Sequence, residues 1–397
     1  MTNVYSSLPT SRFNADHINE TIKRALASAG LDTSTGPMHG VTETIRRALS
    51  SGALPSVGVE DEQPLAVVER VSEQISRLDR VEPSSPAGSG GLGLPGRFIT
   101  SEFSNQAGTR AYKLYVPSQA SDSSLPLIVM LHGCTQSADD FARGTQMNRL
   151  AEESGFLVLY PEQAASANVS KCWNWFQPRD QERDKGEPSV IAGMVRKVAG
   201  TYGVDERRIF VAGLSAGAAM AVVLGETHPD IFAAVGSHSG LPFASAHDIP
   251  SAMAAMKGGR GRSGAAGLTG VQVRERSCTQ AVPTIVFHGD RDHTVQHSNG
   301  AAILEQASDA YDAAGKTNGA TLAVSTERGG AAGGRTFSRS VHAEADGRPH
   351  LEFWTLHGAG HAWSGGNASG SFTDYKGPDA SAEMVRFFLA QPRAGSA

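Results

Sequence analysis

A serine set between glycines, Gly213-Leu214-Ser215-Ala216-Gly217, follows the apolar run Arg208-Ile209-Phe210-Val211-Ala212 and precedes a run of small apolar residues over 218–224. That order reads as strand, tight turn, helix, the setting in which a serine hydroxyl is pushed clear of a sheet as a nucleophile. The turn forces unusual backbone angles and brings strand and helix close together, so its flanks need residues without bulk. The Ala216 N–H then lies at a helix start, aimed at any negative charge that develops on a reacting carbonyl oxygen.

A serine hydroxyl at neutral pH needs a base, and the base needs an acid to orient it. For this strand–turn–helix arrangement the chain order is serine, acid, histidine. The β-branched run Pro283-Thr284-Ile285-Val286-Phe287 leads into His288-Gly289-Asp290-Arg291-Asp292. The spacing after the strand selects Asp292 as the acid, with Asp290 its rival or a turn residue that satisfies its own backbone. Farther on, the strand-like 351–356 leads into His357-Gly358-Ala359-Gly360-His361. His361, after the glycines, is the expected base. His357 reads as a strand-end residue, and His288 and His293 read as loop packing.

The second oxyanion donor belongs on the loop after an early strand. Pro126-Leu127-Ile128-Val129-Met130-Leu131 is continuously apolar, as a strand covered on both faces must be. It ends in His132-Gly133-Cys134-Thr135-Gln136, where Gly133 lets the backbone turn and offers the Cys134 N–H to the nucleophile.

These segments, together with YPEQ (160–163), CWNWF (172–176), HSGLP (238–242), VFHGDRD (286–292) and GAGHAWSGG (358–366), resemble the poly(3-hydroxybutyrate) depolymerase esterase family. More narrowly, they resemble its short-chain-length polyhydroxyalkanoate depolymerases, whose oxyanion loop precedes the serine. Feruloyl and acetylxylan esterases share much of the pattern. The resemblance covers roughly residues 98–392. It implies an α/β-hydrolase fold, a mostly parallel sheet with helices on both faces. It implies Ser215, Asp292 and His361 as a triad, and the Cys134 and Ala216 N–H groups as oxyanion donors. It places Trp173, Asn174 and Trp175 beside the site, and His132, Leu241 and Trp363 are expected to join them in contacting substrate. Cys134 and Cys172 both fall in motifs near the site and could pair in an oxidising compartment, leaving Cys278 unpartnered. The reaction implied is hydrolysis of a carboxylic ester through an acyl-enzyme, on a polyester or a small ester. A different class, a granule-binding protein that uses the hydrolase only as a scaffold, has no need of an oriented serine, histidine and aspartate.

What must position these residues is legible in the rest of the chain. A hydrophobic fraction of 40% over 397 residues supports a large core. A net charge of −5 without a basic cluster argues against nucleic acid or an anionic membrane as partner. No run is long enough to cross a membrane. No cluster has metal-ligand spacing, and no cofactor is expected. The first residues lack the basic and apolar regions of a secretory signal, which suggests a cytoplasmic protein and departs from the usual extracellular location of the resembled family.

Strand-like runs at 97–103, 110–116, 126–131 and 156–160 alternate with helical stretches near 138–154 and 188–202 before the Ser215 strand. The first two strands are expected as an antiparallel pair at the sheet edge. Between 243 and 281 the pattern loosens into a surface insertion, with Leu241-Pro242-Phe243 at its substrate side. Ahead of the enzyme, the amphipathic segment at 18–28 recurs at 41–51, and a third follows at 66–78. The chain is therefore divided into a small N-terminal helical repeat segment (1–80), a Pro/Gly/Ser linker (81–96) and a catalytic domain (97–393). The helices are expected to cap the enzyme or to contact a polymer granule.

Overall fold

The computed structural model describes residues 94–120, 124–258, 281–315 and 321–391, all within the compact unit Gly88–Ala397. The N-terminal repeat, most of the linker and Cys278 lie outside the described residues.

The frame is a ten-stranded sheet in the order β1-β2-β4-β3-β5-β6-β7-β10-β9-β8. Its strands are β1 (Arg97–Asn105), β2 (Gly108–Val116), β3 (Leu125–Leu131), β4 (Leu157–Pro161), β5 (Val204–Leu214), β6 (Ala234–His238), β7 (Thr284–Gly289), β8 (Ala323–Gly330), β9 (Thr336–Ala343) and β10 (Pro349–Leu356). Strands β4, β3, β5, β6, β7 and β10 are parallel neighbours. The expected antiparallel pair β1–β2 forms one edge, and the antiparallel pair β8–β9 extends the other.

Alternation along each central strand explains the unbroken apolar runs. In β3, Leu127, Val129 and Leu131 face one side, against Val190, Val195, Met220 and Leu224. Ile128 and Met130 face the other, against Phe141, Met384, Phe387 and Phe388. The first layer comes from helices α3 (Gly186–Tyr202) and α4 (Ala216–Thr227). The second comes from α1 (Ala138–Thr145), α2 (Met147–Ser154) and α7 (Ala380–Leu389). Each Val or Leu buried this way contributes roughly 1.5–3 kcal/mol, so both faces must stay apolar.

Three local details differ from the sequence expectation. The single helix near 138–154 is two helices, because Gln146 adopts a left-handed conformation (φ 56°, ψ 21°) between them. The loose region after 243 contains a helix, α5 (Ile249–Met256), fixed by Asp248, which caps the Ser251 N–H. His288 is a fully buried residue inside β7 rather than a loop residue. Helix α6 (Ser298–Gly315) then follows β7. No helix among the described residues is long and apolar enough to cross a membrane.

Candidate active site

Ser215 ends β5 and starts α4 with φ 57° and ψ −120°, a conformation costly for any residue with a side chain. Two constraints hold it there. Its N–H donates to the His238 carbonyl at 2.9 Å, and its carbonyl accepts from Ala219 N–H at 3.0 Å. Gly217 is required because a methyl group there would collide with the carbonyl oxygens of Leu131 and His132. Helix α4 therefore presses directly on the end of β3.

That end of β3 carries the loop expected to supply an oxyanion donor. The Gly133 N–H donates to Gln136 Oε1 at 2.9 Å, Thr135 N–H to Ser170 O at 2.7 Å and Gln136 N–H to Gly133 O at 3.3 Å. Their neighbour Cys134 N–H has no acceptor among the described residues, and neither has Ala216 N–H. A Cβ on Gly133 would lie 3.6 Å from that of Ser215, so the loop and the serine are side by side. Gln136 passes the restraint on, donating from Nε2 to Asp140 at 2.9 Å and to Ser371 O at 3.2 Å. A Cys134–Cys172 disulfide ties the same loop to the CWNWF segment.

The expected acid and base, Asp292 and His361, sit on the loops after β7 and β10, two parallel neighbours. His361 Nδ1 donates to Asp292 Oδ2 at 2.7 Å. Asp292 Oδ1 accepts from Thr294 and Val295 N–H, both at 2.9 Å. Burial alone would raise the Asp292 carboxyl, but the His361 hydrogen bond and charge and the Val295 N–H hold it below the usual carboxylate range. An ionised Asp292 fixes His361 with Nδ1 protonated and Nε2 free to accept a proton. Asp290 does not meet His361; it accepts from His357 Nδ1 at 3.0 Å and from Gly358 N–H at 2.6 Å.

His238 was singled out by no sequence argument, yet it joins the two halves. Its carbonyl holds the Ser215 N–H, and its Nε2 accepts from Ser364 N–H at 3.0 Å, on the His361 loop. The ring is sandwiched between Phe287 and Trp363, at centroid distances of 5.8 and 5.2 Å. Burial, aided by His288 and His361, depresses it to about 3, so it stays neutral. The only sequence signal was a histidine closing a run of small strand residues, in the HSGLP segment.

The residues expected to contact substrate are all buried here, and most of their polar atoms are occupied. His132 donates from Nδ1 to Gly133 O at 2.7 Å and accepts Gln163 N–H at Nε2. Trp173 is fully buried and donates to His132 O at 3.1 Å. Trp363 donates to Ser381 Oγ at 3.0 Å. Asn174 is bound to Glu187 through its N–H at 2.7 Å and its amide at 2.9 Å. Leu241 and Trp175 belong to the core. Through these bonds His132, Trp173, Asn174 and Trp363 tie neighbouring segments together. Gln163, Glu187 and Arg110, which sequence reasoning passed over, complete that support: Arg110 Nε donates to Gln163 Oε1 at 2.7 Å, and Glu187 is buried with it.

Comparison with known proteins bears on the family and the fold. The family model described as esterase PHB depolymerase matches residues 110–329. Poly(3-hydroxyalkanoate) depolymerase C of Paucimonas lemoignei is 33% identical over 262 residues, 66% of this chain and 60% of that protein. A probable acetylxylan esterase A of Aspergillus fumigatus is 34% identical over 145 residues, 36% of this chain and 38% of the relative. The chain thus spans less than two thirds of these relatives' lengths. Among solved structures, the acetyl xylan esterase of Aspergillus awamori superposes with a TM-score of 0.55 at 20% identity, over 74% of this chain and 99% of that one. At that identity the likeness establishes the α/β-hydrolase fold.

Proposed function

The chain belongs to the esterase PHB depolymerase family, and from that premise we propose that it hydrolyses carboxylic esters through an acyl-enzyme, with short-side-chain polyhydroxyalkanoate or its oligomers as substrate. The observation that carries this reading is the Asp292–His361 hydrogen bond at the strand ends, on loops linked through His238 to a serine held in a strained turn.

In the reaction Ser215 Oγ attacks the ester carbonyl carbon while His361 Nε2 takes its proton. Asp292 keeps the imidazole in the productive tautomer and stabilises the imidazolium. The Cys134 and Ala216 N–H groups receive the oxyanion, and because their loops are already fixed, little reorganisation opposes the transition state. His361 returns the proton to the leaving alcohol, and water, activated by the same histidine, releases the acid. His132, Trp173, Asn174, Trp175, Leu241 and Trp363 act by holding these loops. Contact with a polymer granule is assigned to the N-terminal repeat.

Feruloyl or acetylxylan ester hydrolysis is the second reading, favoured by the similarity to acetylxylan esterase A. One preparation assayed on hydroxybutyrate oligomers, emulsified polymer and methyl ferulate decides between them. Turnover of oligomers well above methyl ferulate is expected, and the reverse order would sink the polyester assignment. A chain beginning near Gly96 should keep its activity on soluble esters and lose granule binding; unchanged granule binding would remove the repeat from that role.

A further inference from the structure

The loops that supply Asp292 and His361 also supply Asp290 and His357, and these two meet a second serine. His357 Nδ1 lies 3.0 Å from Asp290 Oδ2, and His357 Nε2 lies 2.9 Å from Ser338 Oγ. With Nδ1–H donated to the carboxylate, Nε2 carries the lone pair and accepts the Ser338 hydroxyl proton. The order serine, imidazole, carboxylate is that of an activated nucleophile. Asp290 is further fixed by Gly358 N–H at 2.6 Å, and the His357 carbonyl by Arg335 at 3.1 Å.

Unlike the Asp292–His361 pair, this set is open to solvent: the His357 and Asp290 side chains are 38% and 36% exposed. His357 lines a surface hollow of about 480 Å³ with Arg328, Gly329, Gly330, Thr336 and Phe337. Arg328 sits directly opposite Ser338 on the β8–β9 ladder, so both side chains rise from the same face roughly 5 Å apart at Cβ. Among the described residues Arg328 forms no ion pair. An uncommitted guanidinium beside a nucleophile favours an anionic ligand.

We propose that Ser338, His357 and Asp290 form a second nucleophile site that accepts acyl groups bearing a free carboxylate. Ser338 Oγ bonds to the acyl carbon, its proton passes to His357 Nε2, and the leaving alkoxide or phenolate departs and is protonated from there. Water then cleaves the acyl-serine to the free acid and regenerates the hydroxyl. Arg328 pairs with the carboxylate of the acyl group.

The test uses the full chain carrying Ser215→Ala, which silences the main nucleophile. It is incubated with 4-nitrophenyl acetate or 4-nitrophenyl hydrogen succinate, and acylated peptides are mapped by mass spectrometry. Ser325, exposed on the adjacent strand β8, is the internal reference. Ser338 should acylate at least about tenfold faster than Ser325, with the succinyl ester several-fold ahead of the acetyl ester. His357→Gln should bring Ser338 down to the Ser325 rate, and Asp290→Asn serves the same purpose if that variant does not fold. Equal labelling of the two serines in Ser215→Ala would overturn the site. Equal acetyl and succinyl rates would overturn the role of Arg328.

Discussion

Asp292 and His361 are 69 residues apart in the chain and 2.7 Å apart in space, while two residues before Asp292 a second carboxylate, Asp290, engages His357 at 3.0 Å. The pairs differ in what surrounds them. Asp292 is almost fully buried and spends one oxygen on the backbone of its own loop. Asp290 is exposed and pins the start of the His361 loop through Gly358. A buried carboxylate orients an imidazole without competition from water, which favours Asp292 over Asp290 as the proposed acid for Ser215.

Substitution at the two aspartates should therefore separate sharply. Ser215→Ala and His361→Ala should each lower kcat on a chromogenic short-chain ester by on the order of 10⁴ or more, with the fold unchanged by circular dichroism. Asp292→Asn should approach that loss, while Asp290→Asn should cost about tenfold or less. A larger loss from Asp290→Asn would assign the acid wrongly.

The close packing of α4 on β3 predicts a second effect. Gly217→Ala must push its methyl group into the Leu131 and His132 carbonyls, and backbone cannot yield as a flexible side chain does. Destabilisation on the order of 3 kcal/mol and loss of activity are expected, read from chemical denaturation and the short-chain ester assay. A variant as stable and active as the parent would mean that the turn can relax.

The disulfide gives a third. Denatured, unreduced protein should show one free thiol, Cys278, because Cys134 and Cys172 are joined. Cys172→Ala should cost roughly 2–4 kcal/mol and lower kcat more than it raises KM, since it loosens the loop that presents the Cys134 N–H. Three thiols on titration would show that the bond does not form in that preparation.

The residues assigned to the chemistry could be read from the chain because each follows a strand end and carries a local signature: Ser215 between glycines, Asp292 past a β-branched run, His361 past Gly358 and Gly360. Their supports left no such trace. His238 matters through its backbone carbonyl and its ring nitrogen, and neither contact is visible in residue type or spacing. The pair β8–β9 is composed mainly of exposed or half-buried residues, so it lacks the apolar run that marks the central strands. The break falls at Gln146, a residue type that does not by itself mark a helix end. The type of the aromatic residues near the site fits substrate contact and core packing alike; their burial is a tertiary fact.

Buried titratable groups set the pH response of stability. His238 is depressed from 6.5 to about 3 and His288 to about 4, each chiefly by burial. The folded state therefore favours the neutral rings, and this contribution is present above pH 6.5 and lost as pH falls toward 3. Asp180 runs the other way. Burial and the Glu187 charge raise it from 3.8 to about 6, so its contribution is present below about pH 4 and lost as pH rises through 6. At pH 8 the protein carries a buried carboxylate whose ionisation costs on the order of 3 kcal/mol. Asp180→Asn removes that charge and keeps an oxygen to accept the Glu187 N–H, which Asp180 now accepts at 2.7 Å. The variant should melt at a higher temperature than the parent at pH 8, and the advantage should shrink to nothing near pH 4. Thermal melts of both proteins from pH 4 to 8 check this; a difference that stays constant across the range would mean that Asp180 does not titrate in that window.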